Sequence, residues 1–410
     1  MSAIRFTRLV LSEPKWAGLL LVVASLLSFW ELFAGLPLSF FALVTIFLAM
    51  SLGQRMPSSF IIALVVLIGY NTAVLLAPIC SGSIGRSLLT VFAVSVLLIS
   101  VLGIYRSIFH SIDFDKVAST FVLVLFLSLL PEALGLHLSG ASGSGILFKE
   151  PSHLALSAAP FLAFVFMRRK SLVTLGLACL ILAYSFSATI VILVAAAWFL
   201  PQTAVFIKQI FGRGIRFRSA AAFIIAGAAL YFATSSEHFQ DRLAFIASDI
   251  PAVQLNLSLL VYLNGWEMAK ENLLLTNYLG LGLNRMGCNG SFEGVLGDAI
   301  EAISGSRLNF NDGSFLVSKV VSELGVFGIL IIALLSGFLL NRLLRIKSYD
   351  LSDPQTAMAF CFLSSATTAM FIRSAGYFDV VLFYAYLGVI GLSRESRLPR
   401  LRFRARQVGT

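Results

Sequence analysis

The sequence predicts an all-α fold in which about twelve helices cross a membrane and one large loop lies outside it. Of the 410 residues, 58% are hydrophobic and 12% are charged, whereas a soluble domain carries about 25% charged residues. The apolar residues form long runs, and a membrane span needs about 20 of them. Lysine and arginine collect on one side of these runs. Together these observations predict a polytopic integral membrane protein.

Twelve apolar segments are predicted to span the membrane. They are 16–34, 36–52, 59–78, 87–105, 116–135, 153–167, 171–185, 188–207, 219–234, 314–340, 355–372 and 378–393. The first has no clear small-residue cleavage site, so it is predicted to be a retained anchor. The stretch "AYSFSAT" must form a very tight turn between the seventh and eighth spans, and the tenth is long enough to extend beyond the bilayer.

The basic residues orient these spans. With the N-terminus inside, 22 of the 30 lysines and arginines and six of the 20 acidic residues fall on inner segments. The inner side then carries a charge of +16 and the outer side −6, which add up to the net +10 of the chain. The positive-inside rule predicts two cytoplasmic termini. The tail "RESRLPRLRFRAR" is expected to contact lipid headgroups, so the charge does not indicate nucleic-acid binding.

Three regions follow from this topology: helices one to nine in 1–234, a large periplasmic loop in 235–312, and the last three helices with the basic tail in 313–410. Within the loop, "LNLSLLVYLNGWEMAKENLL" has helical spacing of apolar residues, and "GDAIEAISG" indicates a short helix. The four cysteines lack metal-binding spacing. Cys80 and Cys288 both face outward, and the sequence leaves open whether they form a disulfide.

The stretch "GILFKEPSHLALSAAP" places three ionisable residues, Lys149, Glu150 and His153, at the outer mouth of an apolar span. Pro151 favours a helix start there, and Glu150 and His153, one turn apart, share a helix face. A structural interpretation is that Glu150 favours the helix dipole and pairs with Lys149. A functional interpretation is that these groups take part in chemistry at the outer leaflet.

This stretch resembles the "F-x-E-P-S" segment of bacterial O-antigen and exopolysaccharide repeat-unit polymerases of the Wzy type. "YLNGWEMAKENLLLTNYLGLGLNRMG" resembles their large outer loop, with a "GxGxN" turn at Gly280, Gly282 and Asn284. "NDGSFLVSKVVSELGVFGIL" resembles the following span, and "FIRSAGYFDVVLFYAYLGV" the last outer turn and final helix. The same superfamily holds O-antigen ligases, which depend on a late loop histidine, whereas this chain has no histidine after His238.

The resemblance implies a GT-C-like fold in the bacterial inner membrane with a periplasmic active site. The implied enzyme is a glycosyltransferase that transfers a growing glycan from undecaprenyl diphosphate to a sugar hydroxyl of another lipid-linked repeat unit. Its partners are these lipid-linked oligosaccharides and the bilayer, with a chain-length regulator protein as a further one. No cofactor is implied, and the sequence contains no metal-binding motif.

Such a reaction needs cations to hold the diphosphate and benefits from a base for the acceptor hydroxyl. The arginines predicted to bind the diphosphate are Arg373, Arg242, Arg285 and Arg307. The candidate bases are Glu150, then His153, then Asp312. Arg373 closes an apolar helix, and pairing with Asp379 is its structural alternative. Lys319 and Glu323, four residues apart, are expected to form an internal ion pair.

Two other functions stay open at this point. An O-antigen ligase would use the same donor but transfer the glycan to lipid A core. A transporter or flippase of lipid-linked sugars would often show internal repeats and mid-membrane charges. The chain shows no repeat between its halves, and its charges lie at the outer rim.

Overall fold

The computed structural model describes a large part of the chain, including most of the C-terminal half. The described residues are 14–26, 31–33, 36–37, 112–136, 146–148, 150–185, 187–211, 257–288, 294–348, 350–373, 376–377 and 379–394, with scattered residues between 65 and 109. The predicted spans 36–52, 59–78, 87–105 and 219–234 lie largely or wholly outside them. So do Lys149, Cys80 and Arg242.

The all-α class is confirmed for the described residues. The helices are α1 (Pro14–Leu26), α2 (Phe114–Ala133), α3 (Pro151–Arg168), α4 (Leu172–Ser185), α5 (Ala188–Phe211), α6 (Leu257–Leu275), α7 (Val295–Ser304), α8 (Leu316–Arg345), α9 (Pro354–Ile372) and α10 (Val380–Arg394). A short antiparallel pairing joins β1 (Glu31–Phe33) to β2 (Leu36–Pro37). Seven predicted spans, from 116–135 to 188–207 and from 314–340 to 378–393, match α2 to α5 and α8 to α10 within a few residues.

Four of these helices are long and apolar enough to cross a membrane. They are Phe114–Ala133, Ala188–Gln209, Leu316–Arg345 and Pro354–Ile372. This agrees with a membrane protein, and the count of twelve spans stays a prediction. The very tight turn predicted at "AYSFSAT" is confirmed, because α4 ends at Ser185 and α5 begins at Ala188.

Helix α9 lies at the centre of the bundle. It packs against α3, α5, α8 and α10, and 14 of its 19 residues are buried. Its start is fixed by Asp353, whose carboxylate accepts the Thr356 N–H at 2.8 Å, followed by proline at the first helical position. An aromatic core joins it to its neighbours: the Phe362 ring stacks on Tyr384 of α10 at 4.8 Å. The same Phe362 ring packs edge-on against Phe161 of α3 at 5.8 Å, so α3, α9 and α10 share one aromatic core.

Helix α8 is interrupted at Gly325, which has φ 56° and ψ −136°. Only glycine adopts such a conformation easily. The missing helical hydrogen bonds are replaced by the loop segment 278–282: Leu281 N–H donates to Ser322 O at 3.0 Å, and Val326 N–H donates to Tyr278 O at 2.9 Å. The part of α8 before the interruption is buried, and the part after it exposes apolar side chains. Only the second part therefore has the surface of a lipid-facing helix.

Within the predicted loop 235–312, the described residues contain two helices, α6 and α7, at the places the sequence predicted. Helix α7 ends at Gly305, which adopts a left-handed conformation (φ 73°). Helix α6 packs against α8, and their close approach requires glycine at Gly265, where a side-chain Cβ would lie 2.4 Å from Gly313 O. The described part of the loop is thus a packed cap on the buried half of α8.

Candidate functional site

The two residues that the sequence ranked first, Glu150 and Arg373, form an ion pair. The Arg373 Nη2 donates to Glu150 Oε2 at 3.1 Å. Glu150 stands directly before α3, where its backbone is extended, and Arg373 stands directly after α9. The packing of α3 against α9 therefore brings together two residues that are 223 positions apart.

The pair is accessible from outside the protein. The Arg373 side chain is 33% exposed and the Glu150 side chain is 48% exposed. The Glu150 carboxylate makes no capping hydrogen bond to the backbone of α3. A ligand that approaches the start of α3 and the end of α9 meets one cation and one carboxylate at contact distance.

Two neighbours in the first turn of α3 complete the surroundings of Glu150. Ser152 Oγ donates to Glu150 Oε2 at 2.9 Å, and His153 Nε2 lies 4.0 Å from the same oxygen. Partial burial raises the pKa of Glu150, but the hydrogen bond from Ser152 and the nearby positive charges outweigh it, so the pKa lies below its usual value. Glu150 is therefore ionised at neutral pH.

The expected structural alternative for Arg373, pairing with Asp379, is wrong. Asp379 Oδ1 instead accepts the Val381 N–H at 2.9 Å at the start of α10, which is the local use that a carboxylate often has before a helix. The sequence interpretation considered only the acid nearest to Arg373 along the chain. The partner comes from another helix, because α3 and α9 end side by side.

The other predicted site residues have different surroundings from this pair. Arg285 is buried, with 2% exposure, and its burial lowers the pKa of the guanidinium. Arg307 donates to Glu301 Oε2 at 2.8 Å and lies 3.6 Å from Asp298. Asp312 accepts the Ser314 N–H at 3.1 Å within a turn. Diphosphate binding by either arginine and base catalysis by Asp312 stay predictions, as does the role of Arg242, which lies outside the described residues.

The expected ion pair between Lys319 and Glu323 is confirmed. Lys319 Nζ lies 3.5 Å from Glu323 Oε1, and both side chains are buried. The structure adds what the sequence did not show: Glu323 also accepts the Tyr377 hydroxyl at 2.6 Å and the Met286 N–H at 3.0 Å. An acidic residue inside an apolar helix is itself a signal of function. The four-residue spacing predicts the contact with Lys319 but not the two donors from other segments.

No group of three His, Cys, Asp or Glu side chains suited to a metal ion occurs within the described ranges. Cys288, next to the loop turn, is disulfide-bonded, whereas Cys179 and Cys361 are free. Because disulfides persist in oxidising compartments, this bond agrees with an outer location of the loop.

Comparison with known proteins leaves the family open. No protein-family model matches the chain, and no curated protein is significantly similar to it. The resemblance to repeat-unit polymerases therefore stays a prediction from the quoted motifs.

Proposed function

We propose that the protein is a membrane-embedded glycosyltransferase that polymerises lipid-linked oligosaccharide repeat units on the periplasmic face of the bacterial inner membrane. The donor is a glycan on undecaprenyl diphosphate, and the acceptor is a sugar hydroxyl of another lipid-linked repeat unit. The observation that carries the proposal is the accessible ion pair between Glu150 and Arg373 at the outer ends of two packed helices.

This pair offers the two groups that the reaction uses. A guanidinium grips phosphate oxygens through parallel N–H donors, so Arg373 suits the diphosphate of the donor. A carboxylate accepts a proton from a hydroxyl that it contacts, so Glu150 suits the acceptor. In the structure the guanidinium and the carboxylate are bonded to each other. A bound diphosphate therefore competes with Glu150 for the guanidinium.

In the proposed step, the acceptor oxygen forms a bond to the anomeric carbon of the donor glycan. The bond between that carbon and the diphosphate oxygen breaks, and undecaprenyl diphosphate leaves with the electron pair. The hydroxyl proton passes to Glu150 and then to solvent. Arg373 stabilises the charge that develops on the diphosphate. When the diphosphate draws Arg373 away, Glu150 loses a neighbouring positive charge and becomes a stronger base.

The position of the pair also fits lipid-linked substrates. Arg373 directly follows the buried, apolar helix α9, and the proposed topology places this end at the outer leaflet. The phosphates of a polyprenyl diphosphate lie at headgroup level, close to the end of a spanning helix. The excess of acidic residues on the predicted outer segments and the disulfide at Cys288 support the same orientation.

The glycan pattern of a deletion strain tests the proposal and separates it from the alternatives. Loss of a polymerase leaves lipid A core that carries a single repeat unit. Loss of a ligase leaves core without repeat units while chains collect on the lipid carrier, and loss of a flippase traps single repeats on the inner leaflet. Either of the last two patterns contradicts the polymerase. Complementation with Arg373→Ala, expressed at the normal level, is expected to leave the single-repeat pattern unchanged.

A further inference from the structure

The Glu323 carboxylate is fully buried and receives donors from three separate segments. Its Oε2 accepts the Tyr377 hydroxyl at 2.6 Å and the Asn284 N–H at 2.5 Å. Its Oε1 accepts the Met286 N–H at 3.0 Å and lies 3.5 Å from Lys319 Nζ. A buried charge is tolerated when it is satisfied in this way, and such a network holds its members in one arrangement.

The network lies where the loop enters the interruption of α8. Gly282 N–H donates to Glu323 O at 2.8 Å, and a Cβ at Gly280 would lie 2.5 Å from Gly325 N. The loop turn is therefore bonded to the Glu323 backbone as well as to its side chain. Lys319 adds a hydrogen bond to Asn311 O at 2.8 Å, near the end of the loop that leads into α8.

Tyr377 connects this network to the candidate active site. It lies four residues after Arg373 in the turn between α9 and α10, so their Cα atoms are at most about 14 Å apart. Tyr377 is buried, and burial together with the negative charge of Glu323 raises its pKa, so the hydroxyl keeps its proton and donates. Lys319 Nζ also lies 5.7 Å from the centre of its ring. Glu323 thus holds Tyr377, the fourth residue after Arg373 along the chain.

We propose that Glu323 is a positioning residue that acts through Tyr377: it holds the Arg373 turn against the loop turn 280–288 and thereby sets the affinity of Arg373 for a polyprenyl diphosphate. This inference rests on the proposed function. It assigns Glu323 no contact with substrate. Its role is to link the position of the loop to the geometry of the guanidinium.

The substitution Tyr377→Phe tests this link, because it keeps the ring and removes the hydroxyl. The probe is farnesyl diphosphate, titrated into the purified full-length protein in detergent. We expect about tenfold weaker binding, the size expected when most of one hydrogen bond to a charged group is lost from binding. With the full lipid-linked donor, we expect a higher KM and a nearly unchanged kcat at saturation.

Tyr70→Phe is a matched control. The Tyr70 hydroxyl also bridges the loop and α8, since it donates to Leu279 O and to Leu324 O, and its ring stacks on Phe327 at 5.1 Å. Among the described residues from 373 to 379, none bonds to the Tyr70 hydroxyl. We expect Tyr70→Phe to bind farnesyl diphosphate as the wild type does, even where its unfolding temperature falls as much as that of Tyr377→Phe.

The outcomes separate the two proposals. If Arg373→Ala binds farnesyl diphosphate as tightly as the wild type, the assignment of the diphosphate to Arg373 fails, and with it the proposed function. If Arg373→Ala binds weakly but Tyr377→Phe binds normally, the positioning role alone fails. Equal weakening by Tyr377→Phe and Tyr70→Phe also overturns it, because a general loosening of the loop would then explain both.

Discussion

Replacement of Arg373 distinguishes a diphosphate-binding group from a structural ion pair. We consider Arg373→Ala, which removes the guanidinium, and Arg373→Lys, which keeps the charge but removes the planar fork. A third variant exchanges the charges, Glu150→Arg with Arg373→Glu. A structural pair tolerates the exchange, whereas a diphosphate site does not, because the order of cation and base relative to the substrate is reversed.

The effect of Arg373→Ala on stability is expected to be small. At 3.1 Å, two unit charges in water interact with about 1.3 kcal/mol, and exposed pairs usually contribute only about 0.2–1 kcal/mol because solvent screens them and the side chains lose freedom. Arg373 and Glu150 are 33% and 48% exposed. A loss below about 1 kcal/mol leaves a protein of ordinary stability folded.

The effect on activity is expected to be much larger. Two hydrogen bonds from the guanidinium to a diphosphate contribute roughly 1.5–3 kcal/mol each, so their loss lowers kcat/KM by about 10² to 10⁴. Arg373→Lys retains the charge and should keep partial activity at best. Asp379→Asn, which preserves the hydrogen bond to the Val381 N–H, is the control and should be close to the wild type.

The assay combines the length distribution of glycan chains in a complemented deletion strain with the unfolding temperature of each purified variant. We expect short or absent chains for Arg373→Ala and for the exchanged pair, at normal expression and nearly unchanged unfolding temperature. Long chains from the exchanged pair would refute the argument, since the ion pair alone would then account for both residues. The diphosphate would have to be assigned to Arg242 or Arg285.

Three further changes are expected to have distinct results. Glu150→Gln should lower kcat by about 10² to 10⁴ with little change in donor KM. Because the pKa of Glu150 is depressed in the free protein, and kcat/KM reports the ionisation of the free enzyme, wild-type kcat/KM should persist as the pH falls to the usual glutamate range of about 4.3 and decline only below it. The acid limb of kcat should lie at higher pH, because bound diphosphate removes the Arg373 charge from Glu150, and an acid limb of kcat/KM well above the usual glutamate range would contradict Glu150 as the base. Gly325→Ala should prevent stable folding, because its Cβ would lie 2.1 Å from Tyr278 O. Gly337→Ala in the same helix is the control: its Cβ meets nothing within 4 Å, so this change should be neutral or slightly stabilising. Equal unfolding temperatures of the two variants would refute the role of the interruption. Cys288→Ser should lower the free energy of unfolding by about 2–4 kcal/mol, seen as a lower unfolding temperature. Dithiothreitol should destabilise the wild type but not this variant.

Hydropathy and charge predicted the helices better than they predicted the contacts. Apolar runs locate α2 to α5 and α8 to α10 within a few residues. The reason is that a helix in lipid must form all its backbone hydrogen bonds internally, so it needs a long and continuous run of apolar residues. The interruption of α8 at Gly325 leaves no such trace. The backbone hydrogen bonds at the interruption are formed with residues 278–282, more than 40 positions earlier. The composition of α8 alone does not predict which distant segment will form them.

The residues of the candidate pair were identified from the sequence, but their pairing was not. Glu150 directly precedes one apolar helix and Arg373 directly follows another. Because a charge at the end of an apolar segment is costly, each residue is identified as a candidate independently of the other. Their contact depends on which helices lie side by side, and hydropathy contains no information about neighbours. The nearest acid in sequence, Asp379, was therefore a natural but wrong partner, since helix caps and ion pairs compete for the same carboxylates.

The same reasoning explains why Glu323 was interpreted as half of a local pair. A spacing of four residues in a helix predicts the contact with Lys319 correctly, but one ammonium satisfies only part of a buried carboxylate. The remaining acceptor capacity of Glu323 had to be filled, because an unsatisfied charge in this position would be very costly. Donors from two other segments fill it, at Tyr377 and at Asn284 and Met286. A buried carboxylate in an apolar helix therefore predicts that distant segments converge on it, and at Glu323 one of these segments carries the arginine of the candidate site.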